Sequence, residues 1–238
     1  MTVPTKVSPG GQRHRTGFTL VELLVVAAVI TVLAGITAAS VRSAARRANA
    51  IKCAATLKSL GTATLLYTQE NQDQFPRSFH SAGAHRQPGW AASIAPYLGV
   101  VGTQIESDWP GVFNAGFRCP EDRTSDPFVY SYGFNVHFEL DPDGDDYTGS
   151  PATWRRLEHC PAPAGTILIG ETRPVRFGDH LMCHQWSGIQ GAKNALNHAV
   201  HGGRANYLFL DGHVEMLRVD ETFAPSAGNN RWNPSLAH

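Results

Sequence analysis

Three groups of residues in this chain have the types and spacing that do chemistry. The stretch "DPDGDDYTG" sets Asp141, Asp143, Asp145 and Asp146 around a glycine turn. These are hard oxygen donors of the kind that hold calcium. An EF-hand loop also needs an acidic ligand at its twelfth position, which here is Ala152. A solvated acidic loop is therefore the favoured reading, with calcium as the weaker alternative. "HLMCHQW" and "NHAVHGG" gather His180, Cys183, His184, His198 and His201, with His213 further on. Such borderline-soft ligands could hold zinc. The bland alternative, which is preferred, has His201 ordering a nearby hairpin by bonding Asp211 or a backbone carbonyl while the other histidines decorate loops. Finally, "HGG" could supply oxyanion-hole amides, but the hydrolases that use it need a G-x-S-x-G nucleophile elbow, and the chain has none. The expectation is no catalytic residue, no metal site and no resident cofactor.

A different kind of signal comes from "RTGFTLVELLVVAAVITVLAGI". The apolar run from Phe18 to Val41 has one charge, Glu22, and as a helix it is about 36 Å long, enough to cross a hydrocarbon core. A carboxylate inside such a span is costly and is by default functional. Lys6, Arg13 and Arg15 precede the run with no acidic residue among them, which places the N-terminus in the cytoplasm and the rest of the chain outside it. A cleaved signal peptide is the rival, with "LAGITAAS" as its cleavage region. That rival gives Glu22 no task. The formal net charge of zero argues against a nucleic-acid binder, which would show a basic stripe. Four cysteines without a C-x-x-C pair argue against a zinc ribbon or thioredoxin-type site. Their even number fits disulfides in an exported domain, and the spacing does not fix a pairing.

"G-F-T-L-V-E-L-L-V-V" resembles the N-terminal cleavage and methylation motif of type IV prepilins and type II secretion pseudopilins. The resemblance implies that a prepilin peptidase cuts after Gly17 and methylates Phe18. Glu22 then becomes the fifth residue of the mature chain. In a bundle of such helices, its carboxylate would pair with the buried α-amine of a neighbouring subunit and set the axial register. Further on, "CAATLKSLGTATLLYTQENQDQFP", "APYLG", "FRCPEDR", "SYGFN" and "HGGRANYLFLDGHVEML" resemble, in that order, a large bacterial pseudopilin-like family. That family carries a C-terminal motif of His, nine residues, then Asp-Gly, here His201, Asp211 and Gly212. The resemblance implies architecture and export rather than chemistry, and assigns His201, Asp211 and Gly212 a structural role. Cys53 and Cys119 both fall in well-matched stretches, so a disulfide between stalk and domain is expected in an oxidising periplasm.

These elements predict an α+β, pilin-like fold: a long N-terminal helix, half in the membrane and half periplasmic, packed on a small antiparallel sheet. The helix should run from about Phe18 to Asn71, ending before Pro76. Ile51, Leu57, Leu60, Leu65 and Leu66 are expected on its buried face, and Arg42, Arg46, Arg47, Lys52 and Lys58 on a solvated one. A short helix is expected between Pro88 and Gly99 and a buried strand over 166–172. "RANYLFLDGHVEMLRV" predicts a two-residue type I′ hairpin at Asp211-Gly212, with Tyr207 and Phe209 on one face and Leu208 and Leu210 on the other. The predicted divisions are leader 1–17, membrane and assembly helix 18–41, periplasmic helix 42–75, globular domain 76–223 and loose tail 224–238. The function expected is a structural filament subunit. Its partners would be a prepilin peptidase, other pilin or pseudopilin subunits and the inner membrane, crossed once, with no nucleic acid. The alternative is an exported binding module recognising a polysaccharide or surface ligand through a face around Trp154, Trp186 and His201.

Overall fold

The computed structural model describes residues 18–100, 109–124, 126, 128–139 and 154–238. Helix α1 spans Leu20–Glu70. Thr19, just before it, forms a capping box with Glu22. The Glu22 carboxylate accepts from the Thr19 amide at 2.8 Å, and the Thr19 hydroxyl lies 3.3 Å from the Glu22 amide. The helix stops where Gln72 and Asp73 take left-handed backbone angles (φ 57° and 63°), ahead of Pro76. Compact packing divides the chain into two units, one ending at Ala44 and one running from Ala45 to His238. Along α1 from Leu20 at 78% to Val41 at 66%, the large apolar side chains are exposed. Among the described residues of the first unit, none is buried.

The second unit has one. Its part of α1 buries a narrow seam of Ala50, Cys53, Leu57, Leu60, Ala63, Thr64 and Thr68, at spacings of one to four residues along one side of the helix. Of the expected apolar face, Leu57 and Leu60 are on the seam. Ile51 and Leu66 are exposed, because six and nine residues from Leu57 carry them well round the helix. Small residues replace them and bring helix and sheet close together. A Cβ on Gly61 would stand 2.7 Å from the Leu208 side chain. Downstream come α2 (Phe79–Ala84), α3 (Trp90–Ile94) with a following 3-10 turn to Leu98, and the helix Trp109–Gly116.

Among the described residues the main sheet has five strands: β1 (Tyr132–Asn135), β2 (Ile167–Glu171), β3 (His180–Leu181), β4 (Ala205–Phe209) and β5 (Val214–Leu217). Their order is β3-β1-β2-β4-β5. Pairing is antiparallel except for β1 with β3, which is parallel, so the sheet is mixed rather than purely antiparallel. The two-residue alternation of β4 separates two cores. Leu208 and Leu210 join the α1 seam, Trp90, Phe113 and Phe134. Tyr207 and Phe209 face the opposite way, toward Leu181, Leu196, Phe223 and Trp232.

Two expectations are corrected. The β4–β5 turn is not type I′, because Gly212 (φ 86°) is left-handed and Asp211 is not. The Gly212 amide donates to Phe209 O at 2.9 Å, and the Phe209 amide to His213 O at 2.9 Å. That is a type I turn followed by a left-handed glycine, the three-residue hairpin loop. Nor is the segment after Phe223 loose. Strands β6 (Phe223–Ala224) and β7 (Asn229–Asn230) pair. The Ile167 amide donates to Arg231 O at 2.7 Å, and Trp232 is fully buried. An indole is apolar enough to justify that ordering, and room for it comes from Gly170. A Cβ there would lie 2.6 Å from the Trp232 ring and 3.3 Å from Tyr207. Gly170→Ala should therefore destabilise the protein by about 1–3 kcal/mol through overpacking. Urea denaturation of the detergent-solubilised chain tests this, and an unchanged midpoint would mean the pocket has slack.

Candidate functional site

The first candidate is the N-terminal part of α1. Its polar side chains beyond Glu22 are satisfied internally, as a lipid-facing helix requires. Thr31 donates to Ala27 O at 3.0 Å, Thr37 to Leu33 O at 2.9 Å and Ser40 to Ile36 O at 3.1 Å. Glu22 is the one ionisable residue from Phe18 to Val41. In the single chain its carboxylate is taken up by Thr19, whose hydroxyl lies 2.7 Å from it. By length and composition this helix can cross a membrane. Phe18 is 80% exposed at its head. Gly17 lies outside the described residues, as do Asp141, Asp143, Asp145 and Asp146, so the calcium expectation has no geometry to weigh.

The second candidate is buried in the unit from Ala45 to His238. Cys53 on α1, Cys119 after the helix Trp109–Gly116, Glu171 at the end of β2 and His201 before β4 converge. Their donor atoms all lie within 4.8 Å of one another. Cys53 Sγ donates to Glu171 Oε1 at 2.9 Å, and His201 Nε2 stands 3.0 Å from the same oxygen and 3.7 Å from Cys119 Sγ. Both side chains of the Glu171–His201 pair are 1% exposed. Further donors hold the outside of the cluster. Tyr132 Oη donates to Cys53 Sγ at 3.3 Å, and the Asn206 amide to Glu171 Oε2 at 2.6 Å.

Burial and close contact shift the groups in opposite directions. Hydrogen bonding with Cys53, opposed by burial and assisted by His201, brings the Cys119 thiol down to about 7. The same contact, together with burial and the Glu171 charge, pushes Cys53 well up. Burial alone would lower His201, but its contacts with Cys119 and Glu171 outweigh that and raise it to about 10. One sulfur is thus poised to ionise beside an imidazole.

The residues singled out in the sequence are sorted differently by the fold. His201 does not meet Asp211. Asp211 instead lies 2.6 Å from His213 Nδ1 across the turn, the shortest available reach, and Gly212 supplies the turn. His180 goes to Asp179 at 2.9 Å, and Cys183 Sγ to Asn135 Oδ1 at 2.9 Å. The His/Cys set around 180–184 and 198–213 therefore does not converge. Cys53 and Cys119, expected to be bridged, lie side by side as free thiols. The surface imagined around Trp154, Trp186 and His201 is not formed. His201 is buried in the cluster, and Trp186 packs edge-on against Phe223 and Trp232 at 5.3 and 5.2 Å. Glu171 lies in no motif, and its one signal in the sequence is a carboxylate closing the otherwise apolar run "TILIGE".

A long helix with an apolar N-terminal part headed by a single carboxylate, continuing into a small mixed-sheet domain, is an α+β arrangement consistent with a pilin-like fold. Residues 12–38 match the family model described as the prokaryotic N-terminal methylation motif. The match covers the N-terminal segment alone, so the chain carries a prokaryotic N-terminal methylation motif that runs into the start of its apolar helix. No curated protein and no solved structure matches it.

Proposed function

We propose that this protein is a structural subunit of a type IV pilus-like or type II secretion pseudopilus-like filament. The observation that carries this reading is the methylation motif placed at the head of a helix whose large apolar side chains are exposed from Leu20 to Val41. An apolar surface of that extent needs lipid before assembly and other copies of the same helix after it. In the proposed pathway the chain spans the inner membrane once, N-terminus in the cytoplasm and domain in the periplasm. A prepilin peptidase cuts after Gly17 and methylates Phe18. The helix then leaves the bilayer for the filament, where Glu22 exchanges Thr19 for the α-amine of a neighbouring subunit. The protein does no catalysis in this scheme; its product is an assembly.

Mass spectrometry of the mature protein is expected to find an N-methylated Phe18 at its start. An N-terminus near Ala39 would mean an ordinary signal peptide and would end the filament reading. Gly17 should tolerate little beyond Ala, and Gly17→Val should leave the leader attached, visible as a mass increase of the accumulated chain.

A further inference from the structure

We propose that Cys53, Cys119, Glu171 and His201 form a closed, four-ligand zinc site that fastens helix α1 to the sheet. The donor set is two thiols, an imidazole and a carboxylate, the borderline-soft combination that selects zinc over calcium or magnesium. Around a tetrahedral zinc with bonds of about 2.0–2.3 Å, donor atoms stand roughly 3.3–3.8 Å apart. The observed separations of 2.9, 3.0 and 3.7 Å, with every pair inside 4.8 Å, differ from that by shifts that side-chain rotation supplies. Four protein ligands leave no open position, so the ion would be structural rather than catalytic.

Three other readings of the cluster fit less well. In a nucleophilic relay the imidazole holds the carboxylate on one nitrogen and the thiol on the other. Here Nε2 faces both Glu171 and Cys119, while Nδ1 has no partner among the described residues. The groups converge on a point instead of forming a chain. A disulfide would engage only the two sulfurs and leave Glu171 and His201 as a buried pair with no further purpose. A merely satisfied polar core would be expected to pair the carboxylate and imidazole with strong donors, whereas here two thiols, weak donors, stand against them.

The surroundings suit a metal site. Tyr132 donates to the Cys53 sulfur and the Asn206 amide to Glu171 Oε2, as groups around metal ligands do to fix their orientation. The ligands come from α1, β2 and two loops, so the ion would tie together segments far apart in the sequence. An open groove lined by Lys52, Thr56, Asn114, Arg118 and Asp122 reaches Cys119 and gives an ion a way in. Zinc takes both sulfurs as thiolates and His201 as the neutral imidazole, and the protons these groups carry in the free site pass to solvent, so affinity rises with pH.

The test uses the full chain, purified in detergent with thiols protected and chelators absent. Elemental analysis should give about one zinc per chain. Cobalt added to metal-depleted protein should produce thiolate-to-cobalt charge-transfer bands. Cys119→Ser and His201→Ala should abolish both signals. Because either variant can also disturb folding, Tyr132→Phe supplies the finer readout. It keeps the ring and removes only the donor to Cys53, and it should weaken zinc binding about tenfold or more. The proposal is overturned if reduced wild-type protein takes up neither zinc nor cobalt. It is equally overturned if peptide mapping of the native protein finds Cys53 bonded to Cys119 with no metal present.

Discussion

Glu22→Ala should leave membrane insertion and leader removal intact and lower incorporation into filaments by roughly a hundredfold to several-thousandfold. The size follows from stranding one charge of a buried pair, which costs about 3–5 kcal/mol, at about 1.4 kcal/mol per tenfold. Because Glu22 also caps α1 through Thr19, the alanine variant loses two functions at once. Glu22→Gln separates them. Its amide oxygen can still accept from the Thr19 amide, since capping boxes use Glu or Gln alike, but it carries no charge. Filament yield measured for both variants beside the wild type decides the question. Normal assembly of the glutamine variant would show that the cap, not the charge, is what matters.

The second large effect is expected at the other end of the chain. Trp232→Ala should destabilise the protein by about 3–5 kcal/mol, the range for emptying a fully buried aromatic site. The indole packs edge-on against Tyr207 and Trp186, and its backbone carbonyl accepts from the Asn135 side chain at 2.7 Å. For a protein of this size, that corresponds to a melting temperature lower by about 6–20 °C. Calorimetry of the solubilised chain measures it directly. A shift under about 2 °C would mean that the last ten residues contribute nothing to the core.

Patterning that repeats over many residues could be read from the sequence. Helix α1 is visible as a long apolar run followed by an Ala- and Leu-rich stretch, and its observed span of Leu20–Glu70 lies within two residues of expectation. The β4–β5 pairing follows from strict alternation, which commits Leu208 and Tyr207 to opposite faces. Features decided by a single residue's backbone could not be read so surely. Asp-Gly is compatible with more than one tight turn, and only the strand ends show that Asp211 stays right-handed. The tail looked loose because "APSAGNNRWNPSLAH" is polar and turn-rich, yet one tryptophan in it suffices to order the segment. The buried cluster was the least legible. Cys53 and His201 are 148 positions apart, and Glu171 lies in no motif. Nothing local announces that four elements will bring these atoms together.

The seam of α1 also has a bearing on how the molecule is made. Its Leu57, Leu60 and Ala63 share one core with Leu208 of β4, and Leu60 precedes Leu208 by 148 positions. At ribosomal rates of about 5–20 residues per second, the helix waits roughly 7–30 s for the strand that will cover it. Throughout that interval it presents a membrane-like surface at one end and an unpaired apolar stripe at the other. The stripe is narrow and broken by Ala50, Gly61, Thr64 and Thr68. The same small side chains that let the sheet approach closely in the finished domain thus keep the nascent helix from sticking to its neighbours.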